Sequence, residues 1–301
     1  MKFVPCMQIF YMLNMKRLFF GGFLIVGASL STRAQEQAIV QEGEYGVSLG
    51  ASHYFGDLDP DAKLIHPNIA FGAFFRKQFG NYVALRVSGH YTFLAYSDKY
   101  NTQNEFDLRR NLSFNTNIFE AALQGDFNFF KYVPGSSYDR FTPYLTFGVG
   151  VFTYNPYTYL NGQKVYLRPL GTEGQGSALY PDRKPYGTMA VCFPIGVGLK
   201  YSLNRNMNLG CEVVYRFTTT DYIDDVSTTY APDAFPQFLP NGQPTVWYQL
   251  QDRSYETGTP IGIKGRQRGY SNQKDSYVLA EVTLSFNLTS YKCPSANGGS
   301  F

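Results

Sequence analysis

The sequence is poor in charge, tryptophan and histidine. Charged residues make up 16% of the 301 residues, with one Trp and three His, whereas an ordinary soluble domain carries roughly 25% charged residues. The formal net charge of +3 is accounted for by residues 1–34, which contain four basic residues and no acid. No basic stripe remains to neutralise a phosphate backbone. The composition therefore predicts no nucleic-acid binding.

Long apolar runs are also missing after residue 34, so no transmembrane helix is expected. Residues 15–34 instead have the layout of a secretory signal, with Met15-Lys16-Arg17 before an apolar stretch and a small-residue cleavage site ending at Ala34. The apolar stretch is shorter than the roughly 20 residues of a membrane anchor. We predict a start at Met15, a leader and signal peptide over 1–34, cleavage after Ala34, and an exported domain over 35–301.

Cysteines are few, and an odd number follows the leader. Cys6 leaves with the leader, and Cys192, Cys211 and Cys293 remain. Because Cys192 and Cys211 fall on opposite faces of neighbouring predicted strands, we expect no disulfide between them. Cys293 lies in the C-terminal tail, as a bystander or as the partner of another thiol.

Aromatic residues are abundant, with 25 Tyr and 26 Phe, and apolar and polar residues alternate through most of the chain. In one segment Leu209, Cys211 and Val213 alternate with Glu212 and Val214. This period of two indicates β-strands. We predict eight strands, at 44–53, 68–79, 82–96, 117–130, 141–154, 189–202, 207–219 and 275–287.

Short and long connections alternate between these strands. Tight turns are expected at 80–81 and 203–206 and a modest loop at 134–139, whereas 54–67, 97–116, 155–188 and 220–274 are long. Even strand number and this alternation are typical of outer-membrane barrels. We therefore predict an all-β fold: an eight-stranded antiparallel transmembrane β-barrel with short periplasmic turns, long extracellular loops and a periplasmic tail over 288–301. A soluble lipocalin-type barrel, with its apolar face inward, is the alternative.

The polar faces of the strands carry a nearly balanced set of charges. An eight-stranded barrel is just wide enough to be filled by its side chains, so these charges are expected to form an interior plug rather than to line a conduit. The predicted plug residues are Arg76, Arg86, Glu120, Asp126, Lys200, Glu212, Arg216 and Glu281.

Few residues suggest chemistry. His53 near Asp57 and Asp59 is the best candidate for a catalytic group, but a histidine in a solvated turn is the favoured interpretation. Residues 57–61 resemble a calcium loop yet lack its sixth-position glycine. Asp221 with Asp224 and Asp225 could hold a cation or act as an acid pair, without further support. We predict no catalytic, cofactor or metal site, no small-molecule substrate, and no enzyme activity.

Several motifs together resemble a known family. They are Tyr54-Phe55-Gly56-Asp57-Leu58, Asn111-Leu112-Ser113-Phe114, Ile118-Phe119-Glu120-Ala121, Thr142-Pro143-Tyr144, Pro169-Leu170-Gly171-Thr172-Glu173-Gly174-Gln175-Gly176 and Thr220-Asp221-Tyr222-Ile223-Asp224-Asp225-Val226-Ser227. The chain resembles the PorG-like outer-membrane barrels of the Bacteroidota type IX secretion system. The glycines of 171–176 are expected to supply tight turns with positive φ.

This resemblance implies a non-enzymatic component of the secretion machinery in the bacterial outer membrane, surrounded by lipid. It implies association with a periplasmic ring of a PorK-like lipoprotein and a PorN-like subunit, and in gliding species a role in motility. The contact is expected on the periplasmic turns, residues 35–43 or the tail, or alternatively on the long loops. A passive small porin or an adhesin is the alternative function, and a barrel enzyme a further one.

Overall fold

The computed structural model describes residues 39–60 and 66–291. The predicted leader, its cleavage site, Cys293 and most of the predicted tail lie outside these residues. Residues 41–290 form one compact unit. Its ten strands are β1 (Ile39–Phe55), β2 (Asn68–Phe79), β3 (Val83–Ser97), β4 (Ser113–Asn128), β5 (Phe141–Thr153), β6 (Tyr157–Leu160), β7 (Gln163–Tyr166), β8 (Met189–Ser202), β9 (Met207–Thr218) and β10 (Ser276–Tyr291).

Eight of these strands close into an antiparallel barrel. The order around it is β1-β2-β3-β4-β5-β8-β9-β10, and β10 pairs back with β1. Arg76 of β2 lies opposite Arg86 of β3, and Glu281 of β10 lies opposite Glu212 of β9. The predicted eight-stranded barrel is thus confirmed, and closure leaves no open edge around its wall.

The remaining elements lie in the long connections and were not predicted. Strands β6 and β7 form a hairpin that joins β4 through the pair Asn115 and Tyr157. Its turn is Asn161-Gly162, both at positive φ, which is the preferred sequence for a two-residue hairpin. Two short helices, α1 (Glu105–Arg110) and α2 (Val246–Gln251), complete the fold. No helix of the described chain has the length and apolar character needed to cross a membrane.

Predicted strand bounds are close to the observed ones except in three strands. Strand β1 runs over Ile39–Phe55 rather than 44–53, so part of the predicted segment 35–43 belongs to the wall; β4 begins at Ser113 rather than 117, and β10 runs on to Tyr291. The extra residues at Ser113–Thr116 pair with β3 up to Ser97. The barrel wall therefore rises higher at β3 and β4 than the alternation alone indicated.

The apolar face of each strand points outward. In β9, Leu209, Cys211 and Val213 are exposed, whereas Glu212 and Val214 are buried. The lipocalin-type alternative, with apolar residues inside, is therefore wrong. The outward face forms an apolar belt around the barrel that includes Val47, Leu49, Phe71, Phe75, Val87, Phe119, Leu123, Phe147, Val149, Ile195, Val197, Val213 and Val282.

We call the end of the barrel with the four long loops the loop end and the opposite one the turn end. The described parts of the long loops, residues 56–60, 66–67, 98–112, 154–188 and 219–275, form what we call the loop cap. Beneath it lies an apolar cluster that includes Leu94, Ile118, Phe152 and Leu279. The barrel interior is thus polar along most of its length and apolar only where the loop cap meets it.

Candidate functional site

The charged interior is densest near the turn end. Arg76 of β2 pairs with Glu44 of β1, and its Nε lies 2.5 Å from Asp126 Oδ2 of β4. Lys200 Nζ of β8 reaches Glu44 Oε1 across the lumen at 3.1 Å. Tyr132, in the turn after β4, is buried and donates to Asn208 Oδ1 at 2.7 Å. This layer therefore joins strands that are not neighbours in the wall.

A second layer crosses the middle of the barrel. Arg86 Nη1 of β3 lies 2.6 Å from Glu212 Oε2 of β9, and Arg86 Nη2 donates to Thr146 Oγ1 at 3.0 Å. Tyr144 also donates to Glu212 Oε2, at 2.5 Å. Because β3 and β9 lie on opposite sides of the barrel, the Arg86–Glu212 pair occupies the lumen.

A third layer lies closer to the loop end. Arg216 Nε lies 3.0 Å from Glu120 Oε2, which also accepts from Tyr277 Oη at 2.6 Å. The two ring nitrogens of His90 lie 3.5 Å from Glu120 Oε1 and 3.4 Å from Glu281 Oε2. The three layers together place ion pairs across the interior along the barrel.

The structure places all eight predicted plug residues inside the barrel, where each is buried. It adds two that the prediction omitted, Glu44 and His90. Both lie on the inward face of their strands. The period-two pattern could have identified His90, because it shares a face with Arg86 and Ser88. Cys192 also lies inside, whereas Cys211 faces outward, and both are free thiols.

The loop cap brings the family motifs together. Thr172 Oγ1 donates to Asp225 Oδ2 at 2.5 Å, and Glu173 Oε1 accepts from the backbone N–H of Ser227 at 2.9 Å. Arg268 Nη1 lies 3.2 Å from Glu173 Oε1 and donates to the carbonyl oxygen of Asp225 at 2.6 Å. Two motifs from separate loops thus form one buried cluster.

Glycines give the 171–176 segment its shape. Gly171, Gly174 and Gly176 all have positive φ, as predicted for tight turns. Gln175 Oε1 accepts from the backbone N–H of Glu173 at 2.9 Å. The segment therefore serves the packing of the loop cap.

The tyrosine of the first motif joins this cluster. Tyr54 Oη lies 2.5 Å from Asp224 Oδ2 and 3.1 Å from Asp275 Oδ1. Gly56 allows the approach, since a Cβ there would lie 2.0 Å from Tyr54 Oη and 2.1 Å from Asp275 Oδ1. Asp221 is placed nearby, with Oδ2 accepting from Ser227 Oγ at 2.5 Å.

Arg110 holds three of the loops together. Its guanidinium makes a fork with Asp98, with Nε and Nη2 at 2.8 and 2.6 Å from the two carboxylate oxygens. It also donates to the carbonyl oxygens of Asp57 and Arg268, each at 2.8 Å. The bidentate pair fixes the guanidinium within the second loop, and the bonds to the two carbonyl oxygens tie that loop to the first and fourth.

Three carboxyl groups of the loop cap hold their protons more tightly than ordinary carboxyls. Burial raises the pKa of Asp221 to about 7 and the pKa of Asp225 to about 6. Burial also raises the pKa of Asp57 to about 6, against the opposing hydrogen bond from the Tyr270 backbone. Carboxyls removed from water favour their neutral form, so this part of the molecule responds to pH near neutrality.

His53 and the acidic turn that follows it, two further candidates from the sequence, lie in different surroundings from those predicted. His53 is not in a solvated turn: it lies in β1, is buried, and its Nε2 is 2.9 Å from Asp59 Oδ2. The turn that follows includes the buried Leu58, so it is a packed part of the loop cap and not a solvated turn. Within residues 39–60 and 66–291, no group of three or more His, Cys, Asp or Glu side chains is arranged to hold a metal ion.

These surfaces and this topology define a class of protein. A belt of exposed apolar side chains around a closed barrel is unfavourable in water and matches a lipid environment, and the polar interior is shielded from it. The chain is a bacterial outer-membrane β-barrel. Its residues 17–171 match the family described as "Domain of unknown function (DUF6089)", and the chain belongs to that family.

Other comparisons are distant. None of the curated proteins matches the chain. Ail, the attachment invasion locus protein of Yersinia pestis, solved in complex with the heparin analogue sucrose octasulfate, is 11% identical; the match covers 82% of this chain and 99% of that chain, with a TM-score of 0.37. Neisserial surface protein A is 8% identical over 84% of this chain and 98% of that chain, with a TM-score of 0.38. OprG from Pseudomonas aeruginosa is 9% identical over 84% and 99%, with a TM-score of 0.32. These values carry no argument about ligands or partners.

Proposed function

We propose that the chain is a non-enzymatic, PorG-like component of the type IX protein secretion machinery. In this proposal it sits in the outer membrane and associates with a periplasmic ring of PorK-like and PorN-like subunits, and it supports motility in gliding species. The assignment to the type IX secretion machinery rests on the sequence resemblance. The main structural observation in its support is the barrel interior, which is occupied by charged side chains. A protein with such an interior acts through its outer surfaces and not by passing solutes through the lumen.

The interior argues against a passive porin. Arg86 and Glu212 meet across the lumen at 2.6 Å, and Lys200 reaches across it to Glu44 at 3.1 Å. An eight-stranded barrel has little room beyond its own side chains. Opening a path for solute would separate buried ion pairs, which costs several kcal/mol for each pair.

The loop cap supports a non-enzymatic role. The polar groups of Thr172, Glu173 and Asp225 bond to one another and to Arg268. Tyr54 is likewise engaged with Asp224 and Asp275. These groups hold loops in place, which suits a fixed scaffold.

The test is an affinity purification of this chain from native outer membranes in mild detergent, followed by mass spectrometry. The expected result is recovery of the PorK-like lipoprotein and the PorN-like subunit, with loss of secretion when the gene is deleted. Another abundant outer-membrane barrel from the same cells, tagged in the same way, is the control. A barrel without ring subunits, from cells whose secretion survives the deletion, would contradict the proposal and favour a passive or adhesin-like barrel.

A further inference from the structure

The turn end presents one tyrosine almost free of the rest of the molecule. Tyr138 is 96% exposed, more than any other large hydrophobic or aromatic side chain of the described chain. It lies in the connection between β4 and β5, at the end of the barrel opposite the loop cap. Tyrosine is enriched among the residues that dominate binding energy at protein interfaces.

The connection that carries Tyr138 is held in one conformation. Ser136 Oγ accepts from the backbone N–H groups of Tyr138 and Asp139, at 3.2 and 3.1 Å. Val133 N–H donates to the carbonyl oxygen of Asp139 at 2.8 Å, and Lys131 Nζ lies 3.3 Å from Asp139 Oδ2. A side chain presented on a preorganised turn loses little backbone freedom when it binds.

Two arginines lie at the same end of the barrel. Arg140 follows Tyr138 by two residues, and its guanidinium lies 5.3 Å from the ring centre of Tyr201. Arg205, in the β8–β9 turn, packs against Gly135, where a Cβ would lie 2.2 Å from Arg205 Cγ. Within residues 39–60 and 66–291 neither arginine forms an ion pair, whereas the neighbouring Asp139 is paired with Lys131. We call Tyr138, Arg140 and Arg205 the turn surface; its exposed charge is basic.

We propose that the turn surface is the docking site for an acidic patch on the periplasmic partner. Tyr138 provides the apolar anchor, and the two guanidiniums provide bidentate donors for carboxylates. This inference rests on the proposed function, and it assigns the contact to the β4–β5 and β8–β9 turns instead of the loop cap. The charge of the turn surface selects the partner, because a basic partner would be repelled.

The experiment uses the full-length chain in native outer membranes, with recovery of the ring subunits quantified by mass spectrometry. Tyr138→Ser and Arg140→Glu/Arg205→Glu are each expected to lower that recovery about tenfold or more, as for the loss of a dominant interface residue. Tyr270→Ser is the matched control, since Tyr270 is 52% exposed at the loop end, and it should leave recovery unchanged. Heat-modifiable gel mobility verifies that each barrel is folded.

The outcomes separate the two proposals. Recovery by the wild-type chain, together with equal recovery by Tyr138→Ser and the arginine variant, overturns the docking site but keeps the proposed function. No recovery by the wild-type chain overturns both. If the arginine variant instead loses affinity for phosphatidylglycerol vesicles with ring recovery unchanged, the turn surface is a headgroup anchor and the docking proposal is wrong.

Discussion

The barrel interior and the loop cap bury charge in opposite ways. In the interior, cations from four strands face carboxylates from other strands, and most charges meet a partner of opposite sign. In the loop cap, two buried arginines, Arg110 and Arg268, accompany a much larger group of buried carboxyls: Asp59, Asp98, Asp107, Glu173, Asp221, Asp224, Asp225, Asp252 and Asp275. The buried carboxyls of the cap are therefore compensated by hydroxyl and backbone donors and by protonation, whereas those of the interior are compensated by ion pairs.

This difference separates two kinds of stability. An ion pair in the interior is costly to break, because the remaining charge stays buried without compensation. A carboxyl in the loop cap can instead stay buried as a neutral acid. We therefore expect the interior to fail when one partner is deleted, and the loop cap to fail when its protons are removed or its packing is disturbed.

The largest effect is expected from removing one interior cation. Arg216→Met leaves Glu120 without its guanidinium and should lower the free energy of unfolding by about 3–5 kcal/mol, as for other broken buried pairs. Urea titration of the barrel in lipid vesicles measures this. The double variant Arg216→Met/Glu120→Met removes both charges and should be less destabilised than the single one.

An exposed pair provides the control for that experiment. Lys264 Nζ lies 2.7 Å from Asp233 Oδ2, with side chains that are 66% and 41% exposed. Water screens the charges of an exposed pair, so such a pair contributes little to stability, and Lys264→Gln should leave unfolding nearly unchanged. If Lys264→Gln and Arg216→Met lower the free energy of unfolding equally, the interior pairs are no more important for stability than an exposed pair.

A smaller effect is expected from crowding the loop cap. Gly56→Ala places a methyl group against Tyr54 Oη and Asp275 Oδ1, which should cost about 1–3 kcal/mol as overpacking does. The loss should be confined to the cap, so hydrogen exchange of the Ile223 amide, which donates to Asp275 Oδ2 at 2.8 Å, should speed up. Gly187→Ala is the control, since its nearest neighbour for a Cβ lies at 3.6 Å; comparable acceleration there would contradict the argument.

Most of the barrel could be predicted because its signal is local. Alternation assigns each strand and its two faces, and it places Glu212 and Val213 on opposite faces; the observed burial then shows that the face of Glu212 points inward. The partners of Glu212 were out of reach, because Arg86 and Tyr144 arrive from distant strands whose register depends on closure. The interior residues were therefore predictable as a set but not as pairs.

The loop cap could not be predicted from alternation, because irregular segments carry no period. Its geometry depends on contacts far apart in sequence, such as Tyr54 with Asp224 and Arg110 with Arg268. For the same reason His53 was assigned to solvent although it is buried against Asp59. The family motifs marked the residues that matter, but only the fold shows that they bond to one another.

The smallest expected effect is a dependence of cap opening on pH, which the interior should not share. The raised pKa values of Asp57, Asp221 and Asp225 mean that the folded cap binds protons more tightly than the opened one. Their contribution is complete below the ordinary carboxyl pKa of about 4 and is lost as pH rises through about 6 to 7. The proton of the fully buried Asp225 alone should therefore make opening of the cap roughly tenfold more frequent between pH 5 and 8, and Asp57 and Asp221 act in the same direction; the measurement is exchange of the Ile223 and Val226 amides corrected for intrinsic rates.

The Tyr54 hydroxyl supplies the control for this titration. It carries one hydrogen yet lies within bonding distance of both Asp224 and Asp275, so one of the two carboxyls must contribute its own proton. Burial holds the pKa of both carboxyls well above the usual range. Asp275→Asn can donate its amide N–H to Tyr54 Oη while its oxygen accepts from Ile223, as the protonated acid does. This variant fixes a hydrogen at position 275 at every pH and leaves Asp57, Asp221 and Asp225 to titrate, so the pH dependence of cap opening should remain. If the variant instead abolishes that dependence, the proton between Tyr54 and Asp275, and not the other three carboxyls, holds the cap.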